Sequence, residues 1–197
     1  MTTPAPGTVL DDFRLGELLH TGGMAQIYSV DYADGRAAPF PMVMKLPRMA
    51  PGDGAETIVS FEVEHQIMQA LNGPHVPRLV AVGDLATTPY LVMEHVPGHT
   101  LDHWLQRVTQ GQPLSAETLG ALGAAVATAA HALHQQNAVH LDLKPANVIV
   151  RPPSDAAAVT AAAADPSAML GAMLLDFGLS WHAHLPDLLA EELRPAI

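Results

Sequence analysis

The chain contains no cysteine. That excludes disulfides, thiolate-held metals and a thiol nucleophile, and it suits a reducing compartment. We therefore expect a cytoplasmic protein. Charge is scarce too: 15% of residues are charged, against about 25% in an average domain. Lys and Arg total only 9 against 20 Asp and Glu, for a net charge of −11. Such a balance argues against a broad nucleic-acid or anionic-membrane surface. It leaves room for a local cationic pocket, where one or two lysines and a bound cation hold an anion. No stretch is long and apolar enough to span a bilayer. The longest weakly polar run, Leu119 to Ala132, is Ala-rich and short, and we read it as a buried helix in a soluble chain. Met1 to Thr8 lacks the basic start and apolar stretch of a secretory leader.

What the chain does have is apolar residues in 49% of its 197 positions, enough for a substantial core. Turn and periodicity signals divide it. Residues 1–12 read as a flexible N-terminus. Phe13 to Val30 reads as two strands around a break, His20-Thr21-Gly22-Gly23-Met24-Ala25. Asp34-Gly35 marks a hairpin turn, and Pro41 to Leu46 a third strand carrying Lys45. A helix is predicted from about Ala55 to Leu71, from Ile58, Phe61, Ile67, Met68 and Leu71 at helical spacing, stopped by Asn72-Gly73-Pro74. Arg78–Val82 and Tyr90–Met93 complete a five-stranded sheet with one long helix. After Val96-Pro97-Gly98 the pattern turns helical, over Leu101–Val108 and Ser115–Gln136. Ser115 with Thr118 makes half a capping box. Short strands are expected at Val148–Val150 and Met173–Leu175. Between them, residues 152–168 read as an inserted surface loop, with a turn of helix around Ala156 to Ala164.

Four segments then stand in one order: L-H-T-G-G-M-A-Q-I-Y at Leu19–Tyr28, V-M-K at Val43–Lys45, H-L-D-L-K-P-A-N at His140–Asn147, and D-F-G at Asp176–Gly178. Together they resemble the signature set of the protein kinase family. The K-P-A-N run is similar to the serine/threonine class, and G-G-M to bacterial members. The likeness covers the chain from about Phe13 to its end. It implies an α+β, two-lobed kinase-like fold: a small lobe over 13–93, made of the antiparallel sheet and the long helix, then a hinge and an incomplete helical lobe over 94–197. We expect the chain to be truncated after the early activation segment, near Asp187 to Ile197.

The resemblance also implies site residues. Leu19, His20, Thr21, Gly22, Gly23, Met24, Ala25 and Ile27 would form the nucleotide-covering hairpin, where glycine lets backbone N–H groups approach phosphates. Lys45 would contact the α- and β-phosphates, held by Glu64. Glu62 is the rival; two positions apart on a helix, the two cannot both face the sheet, and F-E-V-E-H favours Glu64. Val43 and Ile149 would form the roof and floor of the adenine pocket, with Met93 guarding its back. The Glu94 carbonyl and Val96 N–H would bind adenine. Asp142 would be the catalytic base and Lys144 would steady the γ-phosphate. Asn147 and Asp176 would hold Mg²⁺, with Mn²⁺ as an alternative ion. Phe177, His140 and Met68 would stack as an apolar spine. The implied activity is ATP-dependent phosphorylation of Ser/Thr hydroxyls on protein substrates. The alternative is a non-catalytic nucleotide-binding pseudokinase or an inactive kinase fragment.

Some positions depart from the family pattern. His20 stands where the first glycine is usual, Ala25 at the third, and Val43 for the usual Ala. Leu141 replaces the Arg that often pairs with an activation-segment phosphate, which argues against that mode of switching. The 11 histidines, including the pairs His99/His103 and His182/His184, read as solvated surface residues, and His131 or His134 as a candidate for burial on the long helix. Met42, Met44, Met68 and Met93 read as core filler.

Overall fold

The computed structural model describes residues 4–48, 54–85, 87–109, 113–151 and 171–189. The 152–168 insertion and residues 190–197 of the expected activation segment lie outside the described residues.

Six strands form one antiparallel sheet in the order β1-β2-β3-β4-β6-β5. They are β1 (Val9–Leu10), β2 (Phe13–Thr21), β3 (Ala25–Tyr32), β4 (Met42–Pro47), β5 (Leu79–Val82) and β6 (Leu91–Glu94). Five were expected. The sixth, β1, turns back onto β2 through Asp11, whose φ of 48° makes the reversal tight. The 4–12 segment is thus not loose. Gly7 N–H donates to Leu15 O (2.7 Å), Leu15 N–H to Thr8 O (2.9 Å), and the Tyr28 hydroxyl to Pro4 O (3.2 Å). Tyr90 Oη also donates to Asp11 Oδ2 at 2.5 Å. Composition gave no sign of this docking, because the partners are the β2 backbone and two tyrosine hydroxyls brought in from distant segments.

Strand alternation sorts the sheet into two faces. Phe13, Leu15, Tyr28, Val30, Met42, Met44, Leu46, Tyr90 and Val92 bury one face in a single cluster. The opposite face carries Val43 and Lys45, the odd positions of β4. Register places Ile27 opposite Lys45, His20 opposite Ile27, and Val43 opposite Met93. Residues directly opposite share a face, so these five lie together on it.

Helix α1 (Gly54–Ala70) packs Val63, Ile67 and Met68, with Leu71 just past its end, into a second core. That core also takes Ala129 and Leu133 of α3 (Ala116–His134), Val148 of β9 (Val148–Arg151), Ala172 and Leu174 of β10 (Gly171–Leu174), and Phe177. Ser115 caps α3 by accepting from Thr118 N–H (3.1 Å), the half box read from sequence. The helix is not buried all round: Thr118, Leu122, Ala129 and Leu133 face inward, while Leu119 is 55% exposed. Apolar residues on every side do not bury a helix that packs along one stripe. His131 and His134 both lie on its exposed side.

Between sheet and helices the chain passes through Glu94–Gly98 into β7 (His99–Thr100) and α2 (Leu101–Thr109). Three pairings tie this region down: one joins the two expected strands β9 and β10, and two, through two-residue strands, went unseen in the sequence. β7 pairs with β9, β9 with β10, and β8 (Ala138–Val139) with β11 (Trp181–His182). His182, expected at the surface, is buried by that pairing. Strands this short carry no periodicity of their own.

Gly98 is the tightest point of the passage. Its φ is +131°, and a Cβ there would sit 2.8 Å from Ile149 Cγ2 and from Val150 O. Both the backbone conformation and the space require glycine. Gly98→Ala should lose about 1–3 kcal/mol of stability, read as a lower urea midpoint with an unchanged denaturant slope.

Candidate active site

The site forms where β4, α1, the loop before β9 and the segment after β10 meet. Lys45 Nζ donates to Glu64 Oε2 at 2.6 Å and to Asp176 Oδ1 at 3.0 Å. Glu64 has a side-chain exposure of 4% and Lys45 of 13%, whereas Asp176 is half exposed at 49%. The rivalry on α1 is resolved by rotation about the helix axis. Glu64 is buried, and Glu62 lies on a different, partly exposed flank.

Burial works against charge at all three groups, and their mutual attraction answers it. At Lys45 desolvation pulls the pKa down, but the Glu64 and Asp176 carboxylates hold it at about 12. At Glu64 burial wins, and its pKa is raised despite Lys45. At Asp176 burial pushes up but Lys45 pulls further down, helped by Lys144, so its carboxyl stays ionised.

The second half is the loop His140–Asn147. Lys144 Nζ donates to Asp142 Oδ2 at 2.7 Å, and Asn147 Nδ2 donates to Asp142 Oδ2 at 2.9 Å and to Asp142 O at 3.0 Å. A 3₁₀ turn over Pro145–Asn147 brings Asn147 back to Asp142. His140 is buried and its pKa lowered, chiefly by desolvation. The neutral ring donates through Nε2 to Leu175 O (2.9 Å) and accepts Asp142 N–H at Nδ1 (3.3 Å). Leu175 N–H in turn donates to Asn147 O (2.9 Å). The residue just before Asp176 is therefore bonded to both ends of the loop, and this sets Asp176 beside Asn147.

Leu141 and Asp176 both have left-handed φ, 60° and 63°. Such backbone costs about 1–3 kcal/mol for a non-glycine residue and is characteristic of functional loops. Leu141 thus fills a turn position without supplying the guanidinium usual there. His140 and Phe177 rings lie 5.0 Å apart, and Phe177 shares its core with Met68. Gly178 allows α1 to close on this segment: a Cβ there would meet Ser60 Oγ at 2.2 Å, and Ser60 Oγ donates to Gly178 O at 3.1 Å.

The residues expected to line an adenine pocket fall in two groups. Val96, Ile149 and Met173 form one buried cluster, and Val43 stands opposite Met93 across β4 and β6. Glu94 N–H donates to Arg78 O (2.9 Å) and His95 N–H to Pro41 O (2.8 Å). Arg78 Nε holds the Glu94 carboxylate at 3.0 Å and stacks on Phe40 at 3.8 Å. Sequence reasoning missed this brace, because Phe40, Arg78 and Glu94 come from three separate segments. Leu19, His20, Thr21, Gly23 and Met24 are exposed, and Gly22 partly so, on the hairpin joining β2 to β3. Ala25 is buried at its base. The two histidine pairs do not gather a metal set: among the described residues no group of three or more His, Cys, Asp or Glu could hold an ion.

Removing one partner of the buried pair should expose its energetics. Lys45→Met leaves Glu64 without its counter-charge, at a cost of about 3–5 kcal/mol. A raised carboxyl pKa favours folding only while the group is protonated. The deficit relative to wild type should therefore grow as pH rises from about 5 to 8. Adding Glu64→Gln should recover about half of it and flatten the pH dependence, as measured by thermal melts across that range.

These geometries agree with the comparisons against known proteins. A model described as the protein kinase domain matches residues 19–191. Serine/threonine-protein kinase GD17699 of Drosophila simulans is 29% identical over 147 residues, which is 74% of this chain and 19% of that protein. The protein named "Probable serine/threonine-protein kinase PkwA" of Thermomonospora curvata is 29% identical over 147 residues, 74% of this chain and 18% of its own length. The chain spans about a fifth of the length of these curated relatives. With the family match running from the glycine-bearing hairpin to beyond the D-F-G segment, the chain belongs to the protein kinase family.

Proposed function

We propose that this chain transfers the γ-phosphoryl group of Mg·ATP to serine and threonine hydroxyls of protein substrates. The observation that carries the reading is the convergence of Lys45, Glu64 and Asp176 within 3.0 Å contacts. The Asp142–Lys144–Asn147 triangle stands beside it. Four distant segments of sequence supply these six residues.

The donor set fits the cofactor. Mg²⁺ takes hard oxygen ligands from one or two protein groups and completes its shell with water and phosphate. Asp176, ionised and half exposed, and Asn147, whose Nδ2 is turned toward Asp142, would be those groups. Bound there, Mg·ATP supplies the transferable phosphoryl group and neutralises its charge. Lys45 would hold the α- and β-phosphates, its own position set by Glu64. The Asp142 carboxylate would take the proton of the attacking hydroxyl. Its Oδ2 is held by Lys144 and Asn147, which leaves Oδ1 to receive it. Lys144 would turn from Asp142 toward the transferring group and offset its charge. Val43, Met93, Val96 and Ile149 would enclose adenine, with the Glu94 carbonyl and Val96 N–H as its polar partners.

The acidic composition, with a net charge of −11, favours a protein over a nucleic-acid substrate. Among the described residues no helix is long and apolar enough to cross a membrane.

Two variants separate catalysis from binding. Mg·ATP at about 100 times its Kd should stabilise the chain by ~2.7 kcal/mol. Asp176→Asn should lose that Mg²⁺-dependent shift. Asp142→Asn should keep it while phosphoryl transfer to a Ser/Thr peptide falls by about 10²–10⁴. A shift without any transfer by the wild type would favour a non-catalytic nucleotide-binding role. No shift at all would overturn the reading.

A further inference from the structure

The hairpin that would cover the nucleotide has two glycines, and they do not by themselves explain its shape. A Cβ on Gly23 would meet nothing within 4 Å, and one on Gly22 would meet only ordinary contacts, the nearest Ala25 O at 3.5 Å and His20 Nε2 at 3.6 Å. Neither glycine has a left-handed φ. The glycines therefore supply freedom and leave position to other groups. His20 has taken the place of a further glycine, on the face that bears Ile27 and Lys45.

Position comes from three hydrogen bonds. Gly22 N–H donates to Ala25 O at 2.8 Å and closes the turn. Arg48 N–H donates to Met24 O at 2.7 Å, extending the β3–β4 ladder by one rung into the tip. Arg48 Nη1 donates to Gly22 O at 2.8 Å. Two of the three come from Arg48, a residue just past β4, three positions after Lys45 and outside the glycine-bearing stretch. Its backbone and its side chain grip opposite sides of the same turn.

We propose that Arg48 is a positioning residue, which clamps the Gly22–Met24 turn over the nucleotide site through its contacts with Gly22 O and Met24 O. The inference rests on the nucleotide-binding reading above. The same strand carries Lys45 near its end and Arg48 beyond it. The clamp thus ties the turn to the element that presents the phosphate-binding lysine. A loop ordered before binding loses less conformational entropy when the ligand arrives. The guanidinium also adds positive charge beside the path of the phosphates in a chain of net charge −11. A charged donor to a backbone carbonyl is among the stronger neutral-partner contacts, and guanidinium presents it in a fixed fork.

The absence of cysteine makes the test direct. Met24, half exposed at the turn, becomes a unique thiol as Met24→Cys and takes a fluorescent label used only to read local mobility. Mg·ATP affinity and turnover are measured on unlabelled chains: wild type, Arg48→Ala, Arg48→Lys, and Lys45→Met as the site control. We expect Arg48→Ala to raise label mobility and weaken Mg·ATP binding about tenfold, equivalent to about 1.4 kcal/mol. KM for ATP should rise by a similar factor with kcat nearly unchanged. Both substitutions keep the backbone contact to Met24 O and test the side-chain contact to Gly22 O; Arg48→Lys, which retains one cationic donor, should fall between. A merely structural arginine would lower the melting temperature without selectively loosening the label. Unchanged label mobility in Arg48→Ala would overturn the clamp. Greater mobility with unchanged affinity, in a wild type that binds, would overturn its role in nucleotide binding. A wild type that binds no Mg·ATP would sink the nucleotide reading itself. Label mobility would then decide the clamp alone.

Discussion

The Lys45–Glu64 ion pair is the constraint on which the rest of the site depends. It joins β4 to α1 across the boundary between two cores, and both charges are largely out of water. In such a setting a lone carboxylate or ammonium is strongly disfavoured, so each partner requires the other. The pair therefore fixes the rotation of α1 about its axis and its distance from the sheet. Asp176 adds a third charge from the far side, still in contact with solvent. Its depressed pKa and the raised one of Glu64 show the same lysine serving two carboxylates in different dielectric surroundings.

Much of the remaining architecture can be understood as holding those three groups together. Met68 and Phe177 lie in one core, Ser60 reaches Gly178, and His140 bonds to Leu175. The loop after α1 is stitched down as well. Gln136 exchanges hydrogen bonds with the backbone of Asn72 in both directions, at 2.9 Å and 3.0 Å. His75 donates to Ala172 O and accepts Leu174 N–H, at 2.8 Å and 2.9 Å. These contacts fix the C-terminal end of α1 against β10 and α3, two turns from Glu64. The backbone strain at Leu141 and Asp176 is sustained by this surrounding network.

Where the sequence was silent, the reason is physical in each case. Two-residue strands such as β1, β8 and β11 have no period to detect. The N-terminal segment is rich in Pro, Thr and Gly yet docks, because its partners are the backbone of β2 and the hydroxyls of Tyr28 and Tyr90, a pairing that composition does not report. The apolar residues around α3 suggested full burial, but only one stripe finds a partner among the described residues. His182 is buried by a strand pairing with Ala138, far away in sequence.

The order of motifs from Leu19 to Gly178, and the alternation and helical spacing around them, were determined by the sequence by itself. Alternation and spacing specified the sheet and the long helix, because short-range patterns encode local conformation directly, and the resemblance carried by the four motifs marked Lys45, Asp142, Asn147 and Asp176 as candidates. Tertiary structure alone decided how Lys45 is shared between Glu64 and Asp176, which tautomer His140 holds, how Arg78 braces the hinge, and that Arg48 grips the turn at Gly22. Each of these depends on register and helix rotation between segments far apart in the chain, and no local signal carries that information.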